Sequence, residues 1–253
     1  MPGPIQSLER AAAILRLLAG GERQLALSDV AVTLGLAKGT VHGILRTLQQ
    51  EGFVEQDPDT GRYQLGAELL RLGNSYLDVH ELRARSLMWA DDLARVTGES
   101  VRIGVLHQGG VLVVHHVFRP DDSRQVLEVG SMLPLHATAL GKVLLAFDPV
   151  ARGELDPEPK RFTPRTLAGP ADLEAEFERI RGQGWAGELE EAVDGVAGLA
   201  APIRDRRGSP MGAVGIGGAV ERLADDGRFP GRLVAAVRDA ARSISRDLGA
   251  TAF

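Results

Sequence analysis

The sequence predicts an α+β protein: a winged helix-turn-helix at the N-terminus, a connecting helix, and a larger mixed domain of strands and helices. Three observations carry that prediction. Three helix-period segments near the N-terminus end in two short strand-like runs around a turn. The middle of the chain switches to β-branched runs, SVRIGVLH, VLVVHHVF and QVLEVG. The last third returns to paired strands and one long amphipathic segment.

Residues 7–18, SLERAAAILRLL, place Leu8, Ala11, Leu15 and Leu18 on one helical face, with Ser7 as cap and Gly20-Gly21 as terminator. Ser28 caps a short helix over Asp29–Leu34, with Asp29 set against its N-terminal dipole. Gly35 breaks the chain, and a third helix runs from Ala37 to Glu51 on the stripe Val41, Ile44, Leu45 and Leu48, closed by Gly52. FVEQ and RYQL flank the turn DPDTG, which reads as a β-hairpin. Residues 1–65 therefore form the winged unit, 66–79 a linker helix that includes Tyr76, and 80–253 a second domain, with a helix break at Leu77–His80. In that domain Gly109-Gly110 is the hairpin turn, 138–147 a buried helix and 171–183 an amphipathic one (Leu173, Phe177, Ile180). GVAGLAAPI and PMGAVGIGGAV are strands around RDRRGS. The last helix starts at Pro230 as its first residue and buries Leu233, Val237, Ala241, Ile244 and Leu248.

Composition narrows the function classes. The 253 residues, 44% hydrophobic and 25% charged, suit a globular chain of one large or two modest domains. Cysteine is absent, which excludes disulfides and thiolate chemistry and fits the cytoplasm. MPGPIQSLER does not read as a signal peptide, and no 18-residue apolar stretch predicts a membrane span. The net charge is −5, and residues 1–65 carry six Lys/Arg against seven Asp/Glu, so DNA binding must rest on where the cations sit.

Two of the six, Lys38 and Arg46, sit on the third helix. With its apolar stripe turned inward, the outer N-terminal face carries Lys38, Gly39, Thr40, His42, Gly43 and Arg46. Lys38 and Thr40 suit phosphates; His42 and Arg46 reach base edges, Arg46 best to guanine. Each glycine costs the helix about 1 kcal/mol relative to alanine. One reading is that Gly39 and Gly43 let the backbone approach DNA; the other is that they pack against another helix or are merely tolerated. Arg62, on the return strand of the hairpin, is either a wing contact to phosphate or a solvated arginine.

The stretch LGLAKGTVHGILRTLQQEGFVEQDPDTGRYQLG resembles the winged-helix domain of the IclR family of bacterial transcriptional regulators. SMLPLHATALGKVLLAF and GWAGELEEAVDGVAGLAAPIRDRRGSPMGAVGIGGAVER are similar to two further segments of that family, in order. The resemblance implies a GAF-like C-terminal domain with an antiparallel sheet, a homodimer or dimer of dimers, and palindromic double-stranded operators. It also implies a small-molecule effector that changes DNA affinity. Within the family, MPGPIQSLERAAAILRLLAGGER and LDVHELRARSL look most like the subgroup that regulates glycerol operons. That implies a repressor of glycerol uptake and catabolism genes answering to glycerol or glycerol 3-phosphate. The alternative is a regulator of another catabolic pathway with a small-acid effector.

The family places its ligand beside the loop His136, Ala137 and Thr138, where the N-terminus of the 138–147 helix also offers N–H donors. His136 and Thr138 are the expected side-chain partners, though His136 could equally be a structural loop histidine. Arg102, His107, His115, His116 and Arg119 are further cations whose role depends on which sheet face lines the pocket; alternation sets Arg102 opposite Val101 and Ile103. Glu188 suits ligand hydroxyls. Glu190-Glu191 reads as a solvated or salt-bridged pair, and His115-His116, on opposite faces, as no metal site. The chain departs from the family pattern at Gly43, Glu188, Gly198, Arg204, Gly215 and Gly217. Missing polar side chains at Gly198, Gly215 and Gly217 imply an effector other than the family's keto acids, in a roomier pocket or one using backbone groups. No phosphate loop, H-E-x-x-H or G-x-S-x-G is present, and GAVGIGG lacks dinucleotide-site spacing, so neither enzyme, cofactor nor metal is expected.

Overall fold

A computed structural model describes residues 3–20, 24–79, 81–121 and 123–251, with residues 74–79 by backbone alone. Gly21, His80 and the side chain of Tyr76 lie outside the described residues; of the expected break at Leu77–His80, residues 77–79 are still helical. The chain divides into two compact units, Met1–Val79 and His80–Phe253.

The first unit packs α1 (Gln6–Ala19), α2 (Leu27–Leu34) and α3 (Lys38–Gln50) over the antiparallel pair β1 (Val54–Gln56) and β2 (Tyr63–Leu65), followed by α4 (Ala67–Val79). Its core is Ile14, Leu18, Val30, Val41, Leu45, Leu48, Val54 and Tyr63. Three local expectations are corrected. Ala11, Leu15 and Leu18 of the expected α1 face pack on the core, but Leu8 stays exposed and Ile14, outside the expected set, is the most buried residue of the helix. Ser7 lies inside α1, which starts after Ile5 without a side-chain cap. Ala26, not Ser28, is the cap position of α2, and the Asp29 carboxylate accepts from the Ala26 N–H at 3.3 Å. Gly35 and Gly52 are both left-handed, with φ of 64° and 75°, as tight helix ends require.

The second unit is one six-stranded antiparallel sheet in the order β5-β4-β3-β8-β7-β6. Its strands are β3 (Ser100–His107), β4 (Gly110–Val117), β5 (Met132–Pro134), β6 (Ala186–Leu189), β7 (Val196–Arg204) and β8 (Pro210–Ala219). α5 (Glu81–Thr97) and α10 (Gly231–Asp247) pack on one face. On the other lies α6 (Ala139–Phe147), against which α8 (Pro170–Gln183) packs. The short helices α7 (Pro149–Gly153) and α9 (Val220–Leu223) complete the unit.

QVLEVG is not a strand. Val126 and Leu127 point into solvent, and the outer edge of β4 is taken instead by Ser131 and β5. The hairpin turn is Gln108-Gly109, both at positive φ (46° and 74°), while Gly110 already belongs to β4. Pro230 is the cap of α10, not its first residue. β6, with the sequence AGEL, carries little intrinsic strand preference and exists by pairing with β7. α6 is buried from Ala139 to Ala146, and a methyl on Gly141 would lie 2.0 Å from the Leu135 carbonyl oxygen. That contact seats the helix start against the LPLHAT loop.

Candidate DNA-reading face and effector cavity

The first unit presents α3 as the sequence predicts. Lys38, Gly39, His42, Gly43 and Arg46 are exposed, and Thr40 is half-buried at the edge of the core. A Cβ added to Gly39 or Gly43 meets nothing within 4 Å, so neither glycine packs against another helix among the described residues. Among the described residues Lys38, His42 and Arg46 have no ion pair or side-chain hydrogen bond, so three donors stand on one exposed face. Thr47 Oγ1 donates to the Gly43 carbonyl at 3.1 Å, one turn back along the helix. Gly43→Ala is therefore expected to stabilise the unit by about 1 kcal/mol in denaturant unfolding and to weaken operator binding in an anisotropy titration. Stabilisation with unchanged affinity would leave the glycine no part in docking.

Arg62 is placed differently from the expectation. It precedes β2, in the turn, and its Nη1 donates to the Gln24 carbonyl at 3.2 Å, tying the wing to the segment before α2. The turn is built by Asp57, whose carboxylate accepts from the N–H groups of Asp59 and Thr60, both at 2.9 Å. Those backbone hydrogen bonds hold the Asp57 carboxyl below its usual range.

In the second unit a cavity of about 430 Å³ opens between the start of α6 and the sheet. Five expected residues line it: Arg102, Thr138, Glu188, Gly198 and Gly215. Three do not. His136 Nε2 lies 2.9 Å from the Lys160 carbonyl oxygen, and its ring packs on Phe162, so it holds the 160s loop rather than facing a ligand. Ala137 is wholly buried in the core beneath the loop. Gly217 lies outside the cavity wall, because the Arg102 guanidinium occupies the space above it; a Cβ there would meet Arg102 Nη1. Thr138 lines the cavity, but its hydroxyl is spent on the helix: it donates to Pro134 O at 2.7 Å and accepts from Gly141 N at 3.2 Å.

Two of the three family-departing glycines, Gly217 and Gly198, lie against charged side chains, and the third, Gly215, against the neighbouring strand. Gly217 makes room for Arg102. A Cβ on Gly198 would lie 3.1 Å from both Cγ and Oε1 of Glu188. One on Gly215 would meet the Leu199 carbonyl oxygen at 2.7 Å. Arg102 in turn pairs with Glu128, its Nη2 donating at 2.9 Å, and that guanidinium holds the half-buried Glu128 carboxyl down against the effect of burial. Glu188 is 7% exposed, and its Oε2 has no hydrogen-bond partner among the described residues. Burial pushes its carboxyl up to about 8, the attraction of Lys142 opposing and the negative charge of Glu191 adding to it. The cavity thus holds one compensated ion pair and, beside it, one buried carboxyl that burial makes a weaker acid.

Behind the cavity wall Lys142 of α6 is 1% exposed, 2.6 Å from Glu191 Oε1 and 3.2 Å from Glu176 Oε1. The Glu190-Glu191 pair therefore splits: Glu191 is buried and salt-bridged, whereas Glu190 accepts from Gly195 N at 3.0 Å and faces Arg165. Among the other candidate cations, His116 shares the Arg102 face, and its Nδ1 accepts from the Glu128 N–H at 3.2 Å. His115 lies opposite, near Arg83 and Asp91 of α5, where burial lowers its pKa. Arg119 pairs with Asp121. Sequence reasoning missed Glu128 and Phe162; the first lay in a misread strand, and the second has no local signal.

The model of the IclR helix-turn-helix domain matches residues 7–58, and that of the bacterial transcriptional regulator IclR C-terminal domain matches residues 74–246. The chain belongs to the IclR family. It is a transcriptional regulator that binds DNA and a small-molecule effector, not an enzyme. This IclR-family chain is 69% identical over 250 residues, 98% of each sequence, to the Glycerol operon regulatory protein of Streptomyces coelicolor. It is 67% identical over 250 residues, again 98% of each, to that of Streptomyces griseus. The crystal structure of an IclR transcriptional regulator from Alicyclobacillus acidocaldarius matches it with a TM-score of 0.83 at 26% identity, covering 98% of this chain and 100% of that one. No helix among the described residues is long and apolar enough to cross a membrane.

Proposed function

We propose that this regulator represses genes of glycerol uptake and catabolism, and that glycerol or glycerol 3-phosphate in the α6 cavity releases it from its operator. The observation that carries the reading is the near-complete, 69% identical match to a glycerol operon regulator. The cavity chemistry agrees with it: a protonated Glu188 donates to and accepts from hydroxyls, and Arg102, already partnered by Glu128, leaves no net charge for a bare keto acid. A phosphate end would have to draw Arg102 away from Glu128.

In this reading residues 1–65 hold the operator through Lys38, Thr40, His42 and Arg46, with Gly39 and Gly43 allowing close approach and Arg62 at the wing. Residues 66–79 transmit the signal, and residues 80–253 sense the polyol. The protein works in the cytoplasm as a homodimer, or a dimer of dimers, on a palindrome, so effector binding acts by changing the spacing of two recognition helices. A coupling of about 1–3 kcal/mol translates to a roughly 5–150-fold loss of affinity. Titration of the protein on DNA upstream of glycerol genes, with glycerol and glycerol 3-phosphate in separate arms, reads this directly. Release by one polyol supports the reading and names the effector. Release by small acids alone assigns the regulator to another pathway.

A further inference from the structure

A second cavity, of about 310 Å³, lies where the C-terminal ends of α6 and α8 meet the end of β7 and one face of α10. It shares no lining residue with the effector cavity. Arg181, Arg204, Arg238 and Arg242 line it, and none of its lining residues is a carboxylate.

The four arginines are not equally occupied. Arg181 donates to the Ala146 carbonyl at 3.3 Å and pairs with Glu174, capping the end of α6. Arg242 pairs with Asp239 at 3.3 Å, one exposed partner on the same helix. Arg204 has no carboxylate partner among the described residues. Its guanidinium sits 4.6 Å from the centre of the Phe147 ring, Nη1 donates to the Gly208 carbonyl at 2.9 Å, and its backbone N–H donates to the buried Ser245 hydroxyl. Burial lowers its pKa, the mark of a cation removed from water without a countercharge. Arg238 lines the same cavity one helical turn from Arg242 and has no carboxylate partner among the described residues. Converging guanidiniums repel one another. Arg204 is held rigidly in the cavity with donors to spare, the geometry that recognises phosphate oxygens.

We propose that this cavity binds a small phosphate-bearing anion, held chiefly by Arg204 and Arg238, as a second ligand site independent of the polyol cavity. The test is calorimetric titration of the full chain with inorganic phosphate at constant ionic strength, with glycerol 3-phosphate in a parallel arm. Saturable phosphate binding is expected. Arg238→Gln, on the helix surface, and Arg204→Gln should each weaken it about tenfold, as loss of a charge-assisted hydrogen bond does. Glu188→Gln, in the other cavity, should leave it unchanged. Tighter binding of glycerol 3-phosphate with the same arginine dependence identifies an organic phosphate as the ligand; equal binding identifies the free ion. Unsaturable heats, equal affinity in Arg238→Gln and the parent, or loss in Glu188→Gln would overturn the assignment.

Discussion

Lys142→Met is expected to destabilise the effector domain by about 3–5 kcal/mol, the cost of breaking a buried ion pair by removing one partner. Lys142 is 1% exposed and stands between Glu191 and Glu176. Without it, Glu191 loses the attraction that now opposes burial, and its already raised carboxyl must rise further or stay charged in a dry site. The loss should shrink at low pH, where Glu191 protonates at little cost. Lys142→Met combined with Glu191→Gln should recover much of it, because no lone charge then remains. Denaturant unfolding of the four proteins of this cycle at two pH values measures each quantity. A single variant as stable as the parent at neutral pH would mean that the pair contributes nothing.

The second large effect is a pH dependence set by Glu188. Folded, its carboxyl keeps its proton up to about pH 8; unfolded, it loses it near 4.5. Between those values the folded state binds the extra proton, so stability falls as pH rises, by about 1.4 kcal/mol per pH unit from this group. Below the window both states are protonated, above it both are charged, and the contribution is flat. Glu191 adds a slope of the same sign, whereas Glu128 and Glu176, held low by Arg102 and Arg179, add the opposite one. Glu188→Gln removes one slope and leaves the others, so the difference in unfolding free energy between parent and variant isolates it. That difference should fall steadily in the parent from mildly acidic pH to pH 8. A parent and variant with parallel profiles would show Glu188 to be ionised throughout.

The fold was largely legible where period and turn chemistry agree. Val41, Leu45 and Leu48 enter the core as their spacing requires, Leu173, Phe177 and Ile180 likewise, and Gly35 and Gly52 take the left-handed geometry their positions demand. Errors fell where tertiary pairing decides. VLEV has strand composition but finds no free edge, while AGEL has none and becomes β6 because β7 offers one. On the first helix Ala11, Leu15 and Leu18 face the core as expected, while Leu8 stays in solvent and Ile14 is buried, because only the packed partner decides where the face ends.

The candidate site was legible in part for the same reason. Arg102, Thr138, Glu188, Gly198 and Gly215 meet at one cavity, as motif and alternation indicate. What each does there was not readable locally. His136 turns away to a carbonyl 24 residues on, Glu128 arrives from a loop to neutralise Arg102, and the absent side chains at Gly198 and Gly217 are filled space rather than empty space. These outcomes depend on contacts between segments far apart in sequence, and no single segment encodes them.

Base reading by the exposed face of α3 can be measured directly. The direct measurement is a competition titration of the full chain and its Arg46→Ala variant, on DNA upstream of glycerol genes against shuffled duplex of equal length. Strong preference for the upstream DNA is expected in the parent, and in the variant a loss of about 1–3 kcal/mol confined to that DNA, with shuffled duplex bound as before. Equal losses on both duplexes, or a parent that does not distinguish them, would contradict it.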